Sequence, residues 1–341
     1  MLLLGCGSGT TSAEDPKTTF LNPIANLGKG FLDVFTSLSD MIAGVFGIKA
    51  DTKKSDIGAY FTKIADTMTS VKNKLNTVVA ENGNYPKVKE VVEHFITNTL
   101  DKISDGAKEA AKGATGGDAI GNATAAGNGA IPADKDSVIS LVKGIKTIVD
   151  VVLKDKGDAG ATKTGDDKKD VGNLFADAGK ADAKEENIAK AAANIGAVTG
   201  ADILQSIASS KENPVADNTN GIEKATDAAE IAIAPAKDDK KEIKEAVAQK
   251  DAVIAAGIAL RAMAKDGKFT AKNNEDKSAH AVNGAAASAV GKTLSTLIIA
   301  IRNTVDSGLK SISDALAKVT QEDKSVETTT PADTTVSGQQ Q

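Results

Sequence analysis

The chain has 341 residues, enough for one large domain or two ordinary ones, and its 41% hydrophobic and 26% charged residues exclude a protein that is disordered throughout. Its aromatic content is only 3%, without tryptophan, so the core must be mostly aliphatic, which favours an all-α bundle over a β-sandwich. The net charge of -5, the single cysteine and the two histidines argue against a nucleic-acid-binding face, an internal disulfide and a Cys/His zinc site.

The cysteine, Cys6, lies close to the N-terminus. Leu3 stands three residues before it and Gly5 one residue before it, a pattern that resembles the lipobox of bacterial lipoproteins. Such a motif implies cleavage before Cys6 and attachment of acyl chains, and two or more chains anchor a protein stably on a membrane. Residues 7–19 are small and polar, so we expect a flexible tether. No run of about 18 apolar residues occurs, so no membrane-spanning helix is predicted.

Amphipathic helices are predicted after the tether. Apolar residues recur at three- and four-residue steps in three stretches, 20–45, 57–78 and 88–103. Ser55 or Asp56 is a suitable N-cap for the second of these helices. The sequence NGNYP at 82–86 separates the second helix from the third, because glycine, asparagine and proline favour turns.

Three segments in the middle of the chain are predicted to form long polar loops. Segment 106–132 is rich in glycine, alanine, threonine and asparagine and has few large apolar residues, so we expect a long loop or a weak helix. Segment 154–172 combines glycine, aspartate and lysine, and segment 211–221 contains Pro214 and asparagines. Such loops tolerate substitution and insertion cheaply, so this part of the chain is suited to variation.

Helical periodicity returns between these loops. It is clear over 138–152 and in two shorter pieces, 185–195 and 201–209. The mixed-charge run at 237–242 is interpreted as the start of a solvated helix. A small-residue-rich helix follows at 253–263, and Gly267 is well placed to be its C′ cap.

The longest apolar stripe in the chain runs from Val290 to Val319. As a helix it could be about 50 Å long, and it can serve either an intramolecular core or the seam of a homodimer. Residues 321–341 are polar and aperiodic, so we expect a disordered tail. Together the patterns predict one helical domain over 20–320 behind the tether at 1–19. Its fold class is all-α, an elongated bundle with long N- and C-terminal helices packed together and a loop-rich middle.

The sequence offers little catalytic chemistry. A relaxed P-loop pattern ends in Gly291, Lys292 and Thr293, but a phosphate-binding loop follows a buried strand, whereas this stretch is alanine-rich and helical. A helix lysine beside a packing glycine is the better interpretation. His94 and His280 are not accompanied by a nucleophile motif, and Cys6 has no orienting base. No catalytic residue, cofactor site or metal site is predicted, and we do not expect an enzyme.

Several segments resemble the variable large proteins of relapsing-fever Borrelia. They are FLDVFTS at 31–37, KKSDIGAYF at 53–61, SLVKGIKTIVDVVLK at 140–154, GAVTGADIL at 196–204 and IAIRNTVD at 299–306. The most specific is AAGIALRAMAKDGKF at 255–269, which is similar to the invariant segment shared with the Vls surface lipoprotein of Lyme spirochaetes. The resemblance covers nearly the whole chain.

The resemblance implies an outer-surface lipoprotein that is exchanged by gene conversion, so that the bacterial population escapes host antibody. It implies attachment to the outer membrane through lipid on Cys6, with both ends of a helical domain towards the membrane and variable loops outward. Antibodies are expected to meet four segments, 106–132, 154–184, 211–221 and 271–281, while the helix at 255–263 is expected to be mostly buried. Only Leu2, Leu3 and Leu4 are present where a signal peptide would have a basic segment and an apolar stretch of about 7 to 15 residues, which indicates a misassigned start or a stored gene copy.

Two other hypotheses follow from the same residues. A surface adhesin would bind a host serum or matrix protein, a glycosaminoglycan or a complement regulator through a basic or apolar patch across the distal loops. A nucleotide-dependent enzyme would use Lys292 and Thr293, and ATP would then raise the melting temperature.

Overall fold

The computed structural model describes residues 47–81, 85–165, 167–177, 183–237 and 239–318. Within these ranges the protein consists of helices and loops, and its β-structure is limited to two isolated bridges, Lys53 to Ala119 and Ile131 to Lys268. The α-helices are α1 (Lys54–Glu81), α2 (Pro86–Phe95), α3 (Asp101–Gly113), α4 (Lys135–Val152), α5 (Glu185–Ala197), α6 (Gly200–Ala208), α7 (Ala228–Ile233), α8 (Asp251–Met263) and α9 (Asp276–Ala317). The all-α fold class is therefore confirmed.

Three shorter turns complete the helical structure. A π-helical turn, Ile96–Leu100, joins α2 to α3 without a break, and 3-10 turns lie at Lys169–Phe175 and Gly221–Lys224. The predicted helix at 20–45, the tether with Cys6 and the tail at 321–341 lie outside the described residues.

One hydrophobic core joins the two ends of the described chain. It extends from Ile57 in α1 to Ile312 in α9, and α9 packs against α2, α5, α6 and α8. The apolar stripe of α9 is buried inside this core, at Leu294, Leu297, Ile298, Ile301, Val305, Leu309 and Ile312. The structure therefore assigns that stripe to the intramolecular core. Because these side chains are buried within the chain, they do not supply the homodimer seam that the sequence left open.

Segment 106–113 is helical, although a loop or weak helix was predicted over 106–132. These residues form the second half of α3, which lies directly against α4. A Cβ atom at Gly106 would lie 2.7 Å from the carbonyl oxygen of Gly144, so the two helices approach through paired glycines. The small residues that resemble a loop in the sequence are thus the contact surface of a close helix crossing. The predicted loop begins only after Gly113 and ends at Asp134, whose side chain accepts a hydrogen bond from Ser137 N at 2.9 Å.

Three further predictions about local structure are corrected. Helix α1 begins at Lys54, and Asp56 lies in its first turn, where its carboxylate accepts a hydrogen bond from Lys53 N at 3.1 Å, so neither Ser55 nor Asp56 is the N-cap. The described residues of 237–242 are not helical. Gly267 is not a left-handed cap: Asp266 has the positive φ, of 64°, and Gly267 is needed because a Cβ would clash with the Arg261 carbonyl.

Candidate functional site

Helix α8 is buried along its whole length. All 13 residues from Asp251 to Met263 are buried, because α5, α6, α7 and α9 surround the helix. Its sequence, DAVIAAGIALRAM, is apolar on every side, as expected for a helix inside a core rather than at a surface. The predicted burial of segment 255–263 is confirmed. The two ends of α8 are held by buried charged residues, which the sequence analysis did not single out.

Asp251 binds the loop residues Lys163, Thr164 and Lys168 to the N-terminal end of α8. Its Oδ1 lies 2.7 Å from Lys168 Nζ and accepts a hydrogen bond from Thr164 Oγ1 at 2.6 Å. Its Oδ2 accepts hydrogen bonds from the backbone N–H groups of Lys163 and Thr164, at 2.5 and 2.8 Å. Burial by itself would raise the pKa of Asp251, but the hydrogen bonds from Lys168 and Thr164 outweigh it and lower the pKa. The carboxylate is also favoured by the positive end of the helix dipole.

Lys54 binds the opposite end of α8 from helix α1. Its Nζ donates to the carbonyl oxygens of Ala262, at 2.5 Å, and Arg261, at 3.2 Å. These carbonyls belong to the last turn of α8, where a cation complements the helix dipole. Lys54 is completely buried, and the loss of water lowers the pKa of its ammonium group to about 7.

The Arg261 side chain connects three segments around α8. Its Nε donates to Lys268 O at 2.9 Å, and its Nη1 donates to the carbonyl oxygens of Ala232 and Ala234, at 3.2 and 3.0 Å. The guanidinium carbon lies 4.9 Å from the centre of the Phe175 ring. Within the described part of the chain Arg261 forms no ion pair, its Nη2 has no partner, and burial lowers its pKa to about 9.

Polar bonds hold the outer loops on this core. Gln205 Nε2 donates to the carbonyl oxygens of Lys154 and Lys156, at 2.9 and 3.1 Å. Four ion pairs hold the loops between α6 and α8, namely Lys146–Glu212 at 2.8 Å, Lys211–Glu230 at 2.6 Å, Lys224–Glu245 at 2.8 Å and Lys244–Glu223 at 3.0 Å. The loops still present apolar side chains to solvent, since Val215 is 67% exposed and Val247 61% exposed.

The four segments expected to meet antibody differ in their exposure. Segment 154–160 and most of 211–219 are exposed or half-buried. Segment 171–176 is buried, although it lies within the predicted loop 154–184, and 276–281 forms the first turns of α9. Ala271 is buried as well. The solvent-exposed part of these segments is therefore smaller than the sequence predicted.

The relaxed P-loop pattern lies in the middle of α9. Lys292 Nζ donates to the carbonyl oxygens of Ile195, Gly196 and Val198, at 2.8, 3.2 and 2.5 Å, and so caps the C-terminal end of α5. Thr293 Oγ1 donates to Ala289 O at 2.7 Å within the helix. The interpretation of Lys292 as a helix lysine is confirmed, but Gly291 is not a packing glycine, because a Cβ there would meet no atom within 4 Å.

His94 and His280 lie exposed on α2 and α9, and neither joins a group of metal-ligating side chains. Among the described residues no three His, Cys, Asp or Glu side chains come together as a metal site. A groove of about 930 Å³ passes between α2 and α9, with His94, Asn98 and Asn303 among its lining residues.

Among the described helices, α9 alone meets the length and hydropathy criterion for a membrane span, over residues 276–315. The criterion concerns only length and composition over an 18-residue window, so the prediction that no helix spans a membrane stays a prediction. The buried share of that window is 56%, and its large apolar side chains belong to the core described above.

The chain is similar in sequence and in structure to known Borrelia proteins. Residues 31–316 match the family described as Borrelia lipoprotein. The chain is 73% identical to Variable large protein 4 of Borrelia hermsii over 340 residues, which covers 99% of this chain and 96% of that protein. It is 66% identical to Variable large protein 17 of the same species over 342 residues, covering 100% of this chain and 96% of that protein. The crystal structure of the Lyme disease variable surface antigen VlsE of Borrelia burgdorferi superimposes with a TM-score of 0.75 at 36% identity, covering 88% of this chain and 100% of that one.

Proposed function

The chain belongs to the Borrelia lipoprotein family, and on that premise we propose that it acts in antigenic variation and immune evasion at the bacterial outer surface. The observation that carries the proposal is the complete burial of α8 among helices α5, α6, α7 and α9. An antibody that binds the folded protein meets the loops and cannot reach α8 unless the domain opens. Variation in the loops therefore changes what antibodies bind, while the buried helix stays hidden.

The chemistry of the loops suits exchange of their sequence. The exposed stretches 154–160 and 211–219 are held by individual ion pairs and hydrogen bonds, so replacing a residue there costs little stability. The exposed ion pair between Lys146 and Glu212 is one example. The core below is packed from α1, α3, α4, α8 and α9 and can carry different loops without repacking.

Attachment to the outer membrane is proposed to occur through acyl chains on Cys6, as the lipobox resemblance implies. The test is protease treatment of intact cells together with mass spectrometry of the N-terminal peptide from the membrane fraction. We expect loss of the protein from whole cells and an acylated peptide that begins at Cys6. A protected, unlipidated protein that begins at Met1 would refute this anchoring.

The hidden helix gives a separate test. Antibodies against a peptide of residues 251–263 should bind the denatured protein and fail to bind intact cells, whereas antibodies against a peptide of residues 211–221 should bind both. Strong binding of the first antibody to intact cells would contradict shielding of α8. The second antibody controls for the presence of the protein on the surface.

Adhesion to a host protein, a glycosaminoglycan or a complement regulator is the alternative function. The exposed Val215 and Val247 side chains favour an apolar contact with a host protein. Glycosaminoglycan binding is less favoured, because Lys146, Lys211 and Lys224 are each paired with a glutamate. Pull-down from serum with the folded domain tests it: a retained protein that is lost when loop 211–221 is exchanged would support adhesion.

A further inference from the structure

Asn–Gly pairs are the places where an asparagine side chain is chemically least stable. Glycine has no side chain, so its backbone nitrogen can reach the amide carbon of the asparagine before it. The described residues contain three such pairs, Asn128–Gly129, Asn220–Gly221 and Asn283–Gly284. Hydrogen bonds to the two reacting groups oppose the reaction, because they must break before the nitrogen can attack.

Two of the three pairs are held by such bonds. Asn220 donates from its backbone N and from Nδ2 to the Asp217 carboxylate, at 2.7 and 3.2 Å, and Gly221 N donates to Asp217 O at 2.8 Å. The Asn283 side chain accepts from Ala123 N at 2.8 Å and donates to Ala123 O at 3.1 Å. Gly284 lies within α9, where its N–H belongs to the helix.

The Asn128–Gly129 pair is open by comparison. Asn128 is exposed in the loop between α3 and α4, and its side chain makes one bond, from Nδ2 to Thr124 Oγ1 at 3.1 Å. Gly129 N donates no hydrogen bond to any residue in the described ranges. The Gly129 nitrogen is therefore free to attack, and the Asn128 side chain is held by one exposed hydrogen bond rather than by two or more.

We propose that Asn128 is a site of spontaneous deamidation. The Gly129 nitrogen attacks Asn128 Cγ and gives up its proton, a new C–N bond closes a five-membered imide, and the Cγ–Nδ2 bond breaks with release of ammonia. Water then opens the imide at either of its two carbonyl carbons and leaves aspartate or isoaspartate at position 128. Water is the only co-reactant, and no atom is oxidised or reduced.

The product changes the surface next to the segment that follows α8. Asn128 lines a cleft of about 480 Å³ that Lys268 also lines, so the new carboxylate adds a negative charge to this cleft. Isoaspartate also lengthens the backbone at a residue whose carbonyl accepts a hydrogen bond from Thr270 Oγ1 at 3.0 Å. A protein that ages on the cell surface would thus change this loop without a change of gene. The deamidation itself does not depend on the proposed function, whereas any effect of the changed loop on antibody binding does.

The experiment is peptide mapping by mass spectrometry of the purified full chain during incubation in mildly alkaline buffer. We expect Asn128 to gain the mass of the amide-to-acid exchange about tenfold faster than Asn220 or Asn283, because the latter must first lose two or more hydrogen bonds. In concentrated urea the three rates should converge, and Gly129→Ala should slow the reaction at Asn128 in the folded chain. Equal rates at the three sites in the folded protein, or a slower rate at Asn128, would overturn the proposal. The experiment uses neither cells nor antibodies, so failure of the deamidation proposal can be distinguished from failure of the proposed function.

Discussion

Replacing Lys54 with methionine tests whether a buried ammonium group makes the fold sensitive to acid. In the folded protein the pKa of Lys54 is about 7, whereas an unfolded chain has the ordinary lysine value of 10.5. The unfolded chain therefore binds more protons between these two values, so the free energy of unfolding rises with pH from about 7 to 10.5. Below pH 7 both states are protonated, and the cost of burying the charge is fully present.

The size of the effect follows from the two pKa values. Across the whole window the difference corresponds to roughly 5 kcal/mol, at about 1.4 kcal/mol for each tenfold change in proton affinity. Between pH 8 and pH 6 the protonation of Lys54 lowers the free energy of unfolding by roughly 1.4 kcal/mol. The bonds from Nζ to the Ala262 and Arg261 carbonyls are lost in Lys54→Met at either pH, so only the difference between the two pH values carries the test.

Urea unfolding at pH 6 and pH 8 measures this difference. The wild-type chain should lose about 1.4 kcal/mol on going to pH 6, and Lys54→Met should lose correspondingly less. Lys53→Met is the matched control, because Lys53 is the exposed neighbour and should keep the wild-type pH dependence. If Lys54→Met and the wild-type chain lose equal stability at pH 6, the buried ammonium is not the group that titrates.

Four other substitutions test the packing of the core and the polar contacts that support it. Asp251→Asn leaves Lys168 without its anion and should cost about 3 kcal/mol in urea unfolding, with faster tryptic cleavage after Lys168; an unchanged midpoint would contradict the buried pair. Gly144→Ala should cost about 2 kcal/mol because the added methyl enters α3, whereas Gly291→Ala should gain up to about 1 kcal/mol because its site is open; similar effects at both sites would refute the glycine crossing. Lys292→Met should lower the melting temperature because the carbonyls at the end of α5 lose their donor, and ATP should leave the melting temperature of the wild-type chain unchanged; a rise with ATP would revive the nucleotide hypothesis.

Amphipathic helices were the part of the fold that could be predicted most closely. The stretch predicted at 138–152 is observed as Lys135–Val152, and that predicted at 201–209 is observed as Gly200–Ala208. Large apolar residues at three- and four-residue steps can be buried together only by a helix, so the pattern is local and readable. Segment 106–113 was predicted less well because glycine and alanine carry no such pattern, and only the crossing with α4 makes them favourable there.

The supports of α8 could not be predicted in the same way. Lys54 and Ala262 are 208 residues apart in sequence, and neither position has a local pattern that singles it out. A buried lysine or arginine has the same letter as a solvated one, and its role depends on which backbone carbonyls the fold brings within reach. The residues that hold α8 in place could therefore be identified only in the folded chain.

Sequence alone was enough to predict the fold class, the position of most amphipathic helices, the lipobox resemblance at Cys6 and the burial of segment 255–263, because composition and periodicity are properties of short stretches of chain. Tertiary structure decided that the apolar stripe of α9 belongs to the core, that glycines at 106 and 144 form a helix crossing, and that Asp251, Lys54 and Arg261 hold the two ends of α8. These depend on contacts between residues far apart in sequence, and such contacts exist only after the chain has closed around α8.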